Sequence, residues 1–242
     1  MFALAAGCAP KQKPLTDYVN PLLGTATLWD SVDLGFKPTK RTWGAEVFPG
    51  SSLPNAMVQV SPVTKFHSGA GYQYEDSVIY GFTHTNKGHW NLCHIPLLPV
   101  TGTPTPGDYC SPFSHERESA APGYYQVFLD RYGVDAQLSS TLRCAFHKYT
   151  YPAGAAASLL ADLQRSNEHV RAWDIRKEGD NVFAGWQQTG EKMYFYAVAN
   201  RPVTGIEPVV EGDREVRIVR FGEGDGALEL RIGFSFVSEE NA

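Results

Sequence analysis

The sequence predicts an all-β protein that folds as one large antiparallel β-sandwich. Short runs of apolar or alternating residues recur along the chain and end at turn-forming residues, as they do in sandwiches and barrels. The 242 residues include 23 glycines and 16 prolines, spread throughout the chain. No stretch keeps the 3.6-residue periodicity of an amphipathic helix. Because strands do not alternate with helices, a doubly wound parallel sheet is excluded.

At least ten short runs are predicted to be strands. They cover residues 56–60, 78–84, 95–100, 124–129, 134–138, 142–149, 158–163, 182–187, 193–199, 215–221 and 228–236. The run 95–100 contains two prolines, which remove main-chain donors and favour an edge strand or an irregular one. Thr189-Gly190-Glu191 and the glycine-rich run 222–226 each separate two predicted strands, which is typical of hairpins.

Residues 1–16 are predicted to be a lipoprotein signal remnant followed by a polar linker. The apolar start MFALAAGC resembles the end of a bacterial lipoprotein signal, in which Cys8 is lipidated. The alternative is an ordinary chain start that happens to contain a cysteine. A lipidated Cys8 predicts a periplasmic protein or one anchored to the outer membrane. No apolar run reaches the ~20 residues of a bilayer-spanning helix, so membrane contact is expected only through this anchor.

The sandwich is predicted to span residues 17–237, and residues 238–242 are predicted to start a linker helix. Ser238 is a favoured N-cap residue, and Glu239 and Glu240 suit the positive first turn of a helix. A helix of one turn is not stable by itself, so this ending predicts a fragment whose helix leads into a further domain. The alternative is a frayed chain end.

Charge and motifs exclude several classes of function. The formal net charge is -5 at pH 7 and no run of lysines and arginines occurs, so a nucleic-acid partner is not expected. The motifs of serine hydrolases, P-loop NTPases and dinucleotide-binding enzymes are absent from the sequence. Four candidate carboxylates, Glu46, Glu75, Asp76 and Asp108, have no spacing that predicts two of them meeting at a glycosidic bond. No catalytic residue is therefore predicted in this chain.

The densest group of reactive side chains comprises His84, Asn86, His89, Cys93 and His94. Sugar hydroxyls need several donors and acceptors that are fixed in place, so His84, His89 and Asn86 are predicted to bind substrate. A zinc site is disfavoured because the spacing matches no zinc motif, and no metal site is predicted. Structural histidines with internal hydrogen bonds are the remaining alternative.

Three aromatic residues are also predicted to bind substrate. Trp90 and Trp43 are candidates for stacking on the apolar face of a sugar ring. Trp90 lies in a stretch of loop composition, and Trp43 precedes the loop that carries Phe48, which is predicted to line the same pocket or to fix its loop. For each tryptophan, a place in the core is the alternative.

Five segments, taken in order, resemble glycoside hydrolase family 92, a family of exo-acting α-mannosidases. They are DYVNPLLGT (17–25), VFPGSSLPNAMVQVSP (47–62), GYQYEDSVIYGFTHTNKGHW (71–90), APGYYQVFLDRYGVDAQLSSTLRCAFHKYTYP (121–152) and IGFSFVSEENA (232–242). The resemblance spans nearly all of residues 17–242. One segment departs from the family: after His84-Thr85 the chain has NKGHWNLCHIP, where the family commonly has Ser-Gly-Thr-Gly. This change predicts an altered leaving-group side of the pocket.

The resemblance implies a supersandwich-like N-terminal domain that packs on an (α/α)6 barrel. In that family the barrel supplies the acid and base carboxylates and binds a calcium ion, and hydrolysis inverts the anomeric centre. The parent protein is then a secreted bacterial α-mannosidase, of the α-1,2 exo type, that acts on mannose-containing glycans such as N-glycans. This chain contributes part of the substrate pocket, contacts the barrel as its partner, binds no cofactor itself and is inactive alone. The alternative is a non-catalytic, carbohydrate-binding surface lipoprotein, and a purely structural sandwich is a third possibility.

Overall fold

The computed structural model of the chain describes residues 13–26, 35, 47–87, 91–224 and 226–242. These residues form β-strands and three single-turn 3₁₀ helices, at Leu15–Tyr18, His115–Arg117 and Glu239–Asn241. The predicted all-β class is therefore confirmed. Within this described part, no helix has the length and apolar character needed to cross a membrane.

Two large antiparallel sheets make up most of the described chain. The strands, numbered along the sequence, are β1 (Ser51–Ser52), β2 (Gln59–Val63), β3 (Val78–Ile79), β4 (Gly81–Thr83), β5 (Asn86–Lys87), β6 (Asn91–Leu92), β7 (Leu97–Val100), β8 (Ser111–Pro112), β9 (Glu118–Ala121), β10 (Tyr124–Leu129), β11 (Val134–Ser140), β12 (Cys144–Thr150), β13 (Ser158–Ala161), β14 (Ala172–Gly179), β15 (Val182–Gln188), β16 (Lys192–Ala199), β17 (Val203–Glu211), β18 (Arg214–Phe221) and β19 (Leu228–Ser235). Among the described residues, one sheet has the order β1-β2-β4-β7-β13-β18-β17 and the other β14-β15-β16-β19-β12-β11-β10-β9. Two small sheets, β3-β8 and β5-β6, complete this part of the fold.

The core lies between the two large sheets. In β10, every second residue (Tyr125, Val127 and Leu129) is fully buried, and the residues between them are partly exposed. This alternation sends side chains to opposite faces of a strand. The central strands β7 and β13 are buried at every position instead. Each fully buried Val, Leu or Phe stabilises the fold by about 1.5–3 kcal/mol relative to an exposed one.

The two predicted hairpins have different outcomes. Residues 189–191 connect β15 and β16, which pair directly, so this prediction is confirmed. The prediction for residues 222–226 is wrong, because β18 pairs with β13 and β17 in the first sheet and β19 pairs with β12 and β16 in the second. The glycine-rich run therefore separates strands of opposite sheets, and a local turn pattern cannot distinguish this crossing from a hairpin.

The prolines of β2 and β7 also led to predictions that the pairing of distant strands corrects. β7 is not an edge strand, since it lies between β4 and β13, but its ladder to β4 consists of the single pair Phe82–Leu97. Pro99 therefore has an unpaired side on which its missing N–H costs nothing. β2 likewise continues through Pro62, beyond its predicted end at residue 60, because β1 pairs only with residues 59 and 60.

The C-terminal residues form a single 3₁₀ turn, Glu239–Asn241, without the expected cap bond. Ser238 has the extended conformation of an N-cap residue, yet its hydroxyl accepts from the Asn241 side chain at 2.9 Å and not from a backbone N–H. The following 3₁₀ turn is held to β14 by Glu239, which accepts from both terminal nitrogens of Arg176 at 2.9 and 2.5 Å. An ion pair thus fixes this turn where capping was predicted.

The three cysteines in the described residues are free thiols, with Cys93 buried, Cys110 half-buried and Cys144 exposed. Burial raises the pKa of the Cys93 thiol to about 12. A thiol of this kind is inert, because the thiolate is the reactive form.

Gly185 allows β14 and β15 to pair closely. A Cβ added at Gly185 would collide with the carbonyl oxygen of Asp174 and lie 2.9 Å from the Cα of Ile175. We predict that Gly185→Ala lowers the free energy of unfolding by about 1–3 kcal/mol, because overpacking moves the backbone of β14. Gly190→Ala is the control, since a Cβ there meets nothing within 4 Å. Urea unfolding followed by tryptophan fluorescence measures both variants, and equal stabilities would contradict the prediction.

Candidate functional site

Four groups form one hydrogen-bonded chain across the interface between the large sheets. His84 directly follows β4 in the first sheet, whereas His147 and Tyr149 lie on β12 in the second. The Nε2 atoms of the two histidines are 3.1 Å apart, and the Tyr149 hydroxyl is 2.5 Å from Nδ1 of His147. Nδ1 of His84 is 2.8 Å from the carbonyl oxygen of Ile95. All three side chains are fully buried, so the chain is shielded from water.

The Ile95 carbonyl fixes the direction of every proton in this chain. A carbonyl oxygen only accepts, so His84 donates from Nδ1 and, as a neutral ring, accepts at Nε2. His147 then donates from Nε2 and accepts from the Tyr149 hydroxyl at Nδ1. Desolvation lowers the pKa of His84 to about 3 and the pKa of His147 well below its usual value. Both rings are therefore neutral at pH 7, as this pattern of donors requires.

The hairpin of β5 and β6 begins two residues after His84. Asn86 fixes its first strand: its Nδ2 donates to the Gln59 carbonyl at 2.9 Å, and its Oδ1 accepts from the Thr83 hydroxyl at 3.0 Å. The Gln59 side chain accepts from the backbone N–H of Asn86 at 3.2 Å. Asn86 is almost completely buried, so its amide ties the hairpin to β2 and β4.

The second strand of the hairpin leads into an unusual backbone conformation. Leu92, Cys93 and Ile95 have φ angles of 64°, 58° and 53°, a region that residues other than glycine seldom adopt. The Leu92 carbonyl accepts from the Ser166 hydroxyl at 2.6 Å and from the Asn167 N–H at 2.9 Å. Each such conformation costs on the order of 1–3 kcal/mol and persists only where the surroundings hold it. Strain of this kind clusters at functional sites, which makes this hairpin a candidate.

His94 provides a second anchor beneath the hairpin. Its Nε2 is 3.0 Å from the Thr189 hydroxyl, which donates to Glu168 at 2.6 Å. Its Nδ1 is 2.8 Å from the Thr85 hydroxyl. Desolvation lowers the pKa of His94, and the nearby Glu168 carboxylate opposes this effect. The neutral ring thus links the hairpin to the turn between β15 and β16.

A cavity of about 290 Å³ lies beside these anchors. Its lining residues carry either aromatic rings or basic groups, and they are Lys65, Phe66, His67, Tyr80 and Arg165. Asn167 connects the cavity to the hairpin, because its backbone N–H donates to Leu92 and its side-chain oxygen accepts from the His67 N–H at 2.8 Å. The hairpin and this cavity together form the candidate site.

The two most deeply buried carboxylates of the described chain do not meet. Glu118 accepts from the hydroxyls of Tyr72 and Tyr125, and its Oε2 lies 2.5 Å from Nδ1 of His115. Asp162 accepts from Tyr109 and Arg214. The two groups have no hydrogen-bond partner in common in the described structure, so they do not resemble the acid and base of a glycosidase, which flank one bond.

The structure gives the predicted substrate-binding residues different positions. His84 and Asn86 are buried and already bonded to protein atoms on both sides of the ring or amide, so they support the hairpin and present no free group to a ligand. Phe48 is half-buried. His89, Trp90 and Trp43, together with Cys8, lie outside the described residues.

The basic residues of the cavity and the two buried carboxylates were not predicted. Arg165 lies 100 positions from Lys65 and 98 from His67, and nothing in the local sequence indicates that they meet. Among the described residues, no group of three or more His, Cys, Asp or Glu side chains is arranged to hold a metal ion. The calcium ion implied for the barrel is not tested by these residues.

We predict that stability falls as the pH drops from 7 to 5. The folded-state pKa of His84 lies below the ordinary value of 6.5, so the unfolded chain binds a proton that the folded chain excludes. The stabilisation is complete above pH 6.5 and is lost towards pH 3, by about 1.4 kcal/mol per pH unit for one histidine. His94 and His147 act in the same direction.

Urea unfolding at pH 7, 6 and 5 measures this loss. His84→Gln should be less stable at pH 7 and show a shallower dependence on pH, since one excluded proton is gone. The exposed His169 is the control, and His169→Gln should keep the wild-type slope. A wild-type stability that does not change between pH 7 and 5 would contradict the prediction.

Known proteins resemble this chain in sequence and in fold. The model of the glycosyl hydrolase family 92 N-terminal domain matches residues 18–236. No curated protein matches the chain significantly. The solved structure of the GH92 α-mannosidase BT3965 from Bacteroides thetaiotaomicron is similar, with 25% identity over 94% of this chain and a TM-score of 0.80. The GH92 inverting mannosidase BT2199 from Bacteroides thetaiotaomicron VPI-5482 shares the fold, with 23% identity over 95% of this chain and a TM-score of 0.75.

The chain spans about a third of each of these enzymes, 34% of BT3965 and 33% of BT2199. The family match covers almost every described strand, and the two-sheet architecture agrees with it. This chain therefore belongs to glycoside hydrolase family 92, as a member of its N-terminal domain.

Proposed function

We infer that this chain is the N-terminal domain of an α-mannosidase and forms one wall of its substrate pocket. The observation that supports this most directly is the hairpin of β5 and β6, which is held by buried polar groups on both strands. These contacts hold both strands of the hairpin before a ligand binds, so the strands have little entropy left to lose on binding. His89, Trp90, Trp43 and Phe48 are the proposed contacts to sugar.

The proposed reaction is hydrolysis of a terminal α-mannoside, of the α-1,2 type, with inversion at the anomeric carbon. The relative BT2199 is described as an inverting mannosidase, and inversion requires two carboxyl groups about 6.5–9.5 Å apart with room for a water. We assign this pair, and a calcium ion that contacts sugar hydroxyls, to an (α/α)6 barrel that packs on this domain. The chain's own residues then hold the leaving-group side of the glycan.

The proposed location is the periplasm or the outer membrane of a bacterium, with Cys8 as the lipid anchor. The support for this is the sequence MFALAAGC alone, which resembles the end of a bacterial lipoprotein signal. Labelling with radioactive palmitate, compared between wild type and Cys8→Ser, tests the anchor.

We predict that this chain alone does not hydrolyse an aryl α-mannoside, and that its coding frame continues for several hundred codons beyond Ala242. The protein expressed from the continued frame should release mannose as the β-anomer first, observed by proton NMR of the fresh product. Turnover by the isolated chain, or a stop codon directly after Ala242, would contradict the proposal.

We predict that Trp90→Ala raises KM for a mannobiose at least tenfold in the active enzyme, because a ring that stacks on the leaving-group sugar is removed. Trp90→Phe, which keeps an aromatic face, should recover most of this loss. Comparing the α-1,2, α-1,3 and α-1,6 mannobioses by kcat/KM tests the linkage. An unchanged KM in Trp90→Ala would remove Trp90 from the site.

A further inference from the structure

The cavity beside the hairpin has a chemical character that a neutral sugar does not require. Of its five lining residues, Lys65 and Arg165 are cationic, His67 carries an imidazole, and Phe66 and Tyr80 are aromatic. None of the five is acidic. In a chain with a formal net charge of -5, this local excess of basic groups indicates a specific ligand charge.

Arg165 is held in place before any ligand arrives. Its guanidinium carbon lies 5.5 Å from the ring centre of Phe66, 5.4 Å from that of Tyr80 and 5.8 Å from that of Tyr109. Cation–π contacts of this length are favourable, and three rings restrict the rotamers of the side chain. The Arg165 side chain remains 32% exposed, and its Nη1 donates to the Tyr109 hydroxyl at 3.5 Å. A pre-organised fork binds carboxylate or phosphate oxygens with little further loss of entropy.

The buried carboxylate near Arg165 does not cancel this charge. Asp162 lies 3.6 Å from Nε of Arg165 but only 2.6 Å from the terminal nitrogen of Arg214, which is its closer partner. Two guanidiniums around one carboxylate leave an excess positive charge. Lys65 adds another, and its ammonium forms no ion pair with the described residues.

His67 lines the same cavity in a constrained conformation. Its φ angle is 57°, and Asn167 holds it with two bonds: the side-chain oxygen accepts from the His67 N–H at 2.8 Å, and the carbonyl lies 3.1 Å from Nδ1. Because a carbonyl oxygen only accepts, Nδ1 carries a proton and Nε2 is the nitrogen left for a ligand. A non-glycine residue held at positive φ beside a cavity is the kind of strain found at ligand sites.

We propose that this cavity binds an anionic group, a carboxylate or a phosphate, carried by a sugar. The guanidinium of Arg165 and the ammonium of Lys65 contact the anion, and the rings of Phe66 and Tyr80 cover the adjoining apolar face. The negative charge of the ligand follows from the basic residues that line the cavity. That the anion is carried by a sugar rests on the proposed function.

Calorimetric titration of the 242-residue chain at low ionic strength tests the proposal with four probes: inorganic phosphate, mannose 6-phosphate, mannuronate and mannose. Mannose 6-phosphate or mannuronate should bind, and raising the salt concentration should weaken the binding because the contact is ionic. Tighter binding of the first identifies phosphate as the anion, and tighter binding of the second identifies carboxylate.

Two variants and a matched control connect the binding to the cavity. Arg165→Gln should weaken binding of the anionic probe at least tenfold, and Lys65→Gln should weaken it severalfold. Lys177→Gln removes the same charge from an exposed position on β14, in the other sheet, and should bind as wild type does. Lys65 is exposed, so Lys65→Gln keeps the fold even where Arg165→Gln does not, and thermal unfolding checks each variant.

Equal binding of the anionic probes by wild type, Arg165→Gln and Lys65→Gln would overturn the proposal, as would the absence of binding at millimolar concentration. Failure of the proposed function gives a different result. Inorganic phosphate that binds in an Arg165-dependent manner, with no gain from an attached sugar, leaves the anion site standing and removes its glycan.

Discussion

The candidate site depends on one buried chain of hydrogen bonds, from Tyr149 through His147 and His84 to the carbonyl of Ile95. It connects the two sheets, which also meet through the apolar side chains of the core. Its members are satisfied only if both histidines are neutral and have the one tautomer that the Ile95 carbonyl dictates. A buried polar chain that is fully satisfied specifies one arrangement of the sheets, whereas a register shift would leave several groups unpaired at about 1–3 kcal/mol each.

These hydrogen bonds also explain why the backbone at Ile95 is stable in an unfavourable conformation. Ile95 has a positive φ angle, and its carbonyl is the last acceptor in this series of hydrogen bonds. Its carbonyl accepts from His84 at 2.8 Å, and its N–H donates to the buried side chain of Gln187 at 2.8 Å. Both backbone groups of a residue in an unfavourable conformation are therefore fixed, one by each large sheet. The bond to Gln187 exists only when the two sheets are packed, so this packing helps to balance the strain at Ile95.

The sequence predicted those features that are local. β10 was predicted with its correct bounds because apolar and polar residues alternate over six positions, and the turn at residues 189–191 contains the glycine that a hairpin favours. The crossing after β18 was mistaken for a hairpin because both connections use glycine and polar residues, and only the pairing of distant strands distinguishes them. For the same reason Pro99 was assigned to an edge strand or an irregular one: its tolerance depends on how far β4 extends beside it, which no local pattern records.

The sequence drew attention to residues 84–94 but did not predict what their polar side chains contact. In the structure His84, Asn86 and His94 face inward. Their partners come from Gln59, His147 and Thr189, which the sequence separates by tens of residues. Polar side chains next to a loop look the same in a sequence whether they bind a ligand or support the loop, and only burial separates these roles.

The loop after β13 joins the hairpin and the basic cavity into one unit. Within it, Arg165 contributes its guanidinium to the cavity, and Asn167 bonds both to Leu92 of the hairpin and to His67 of the cavity wall. Glu168 completes the loop through Thr189, beneath His94. A displacement of this loop therefore alters the cavity and the base of the hairpin together. A ligand that fixed Arg165 would therefore act on the same loop as Asn167, two residues away, which is the residue that bonds to the hairpin.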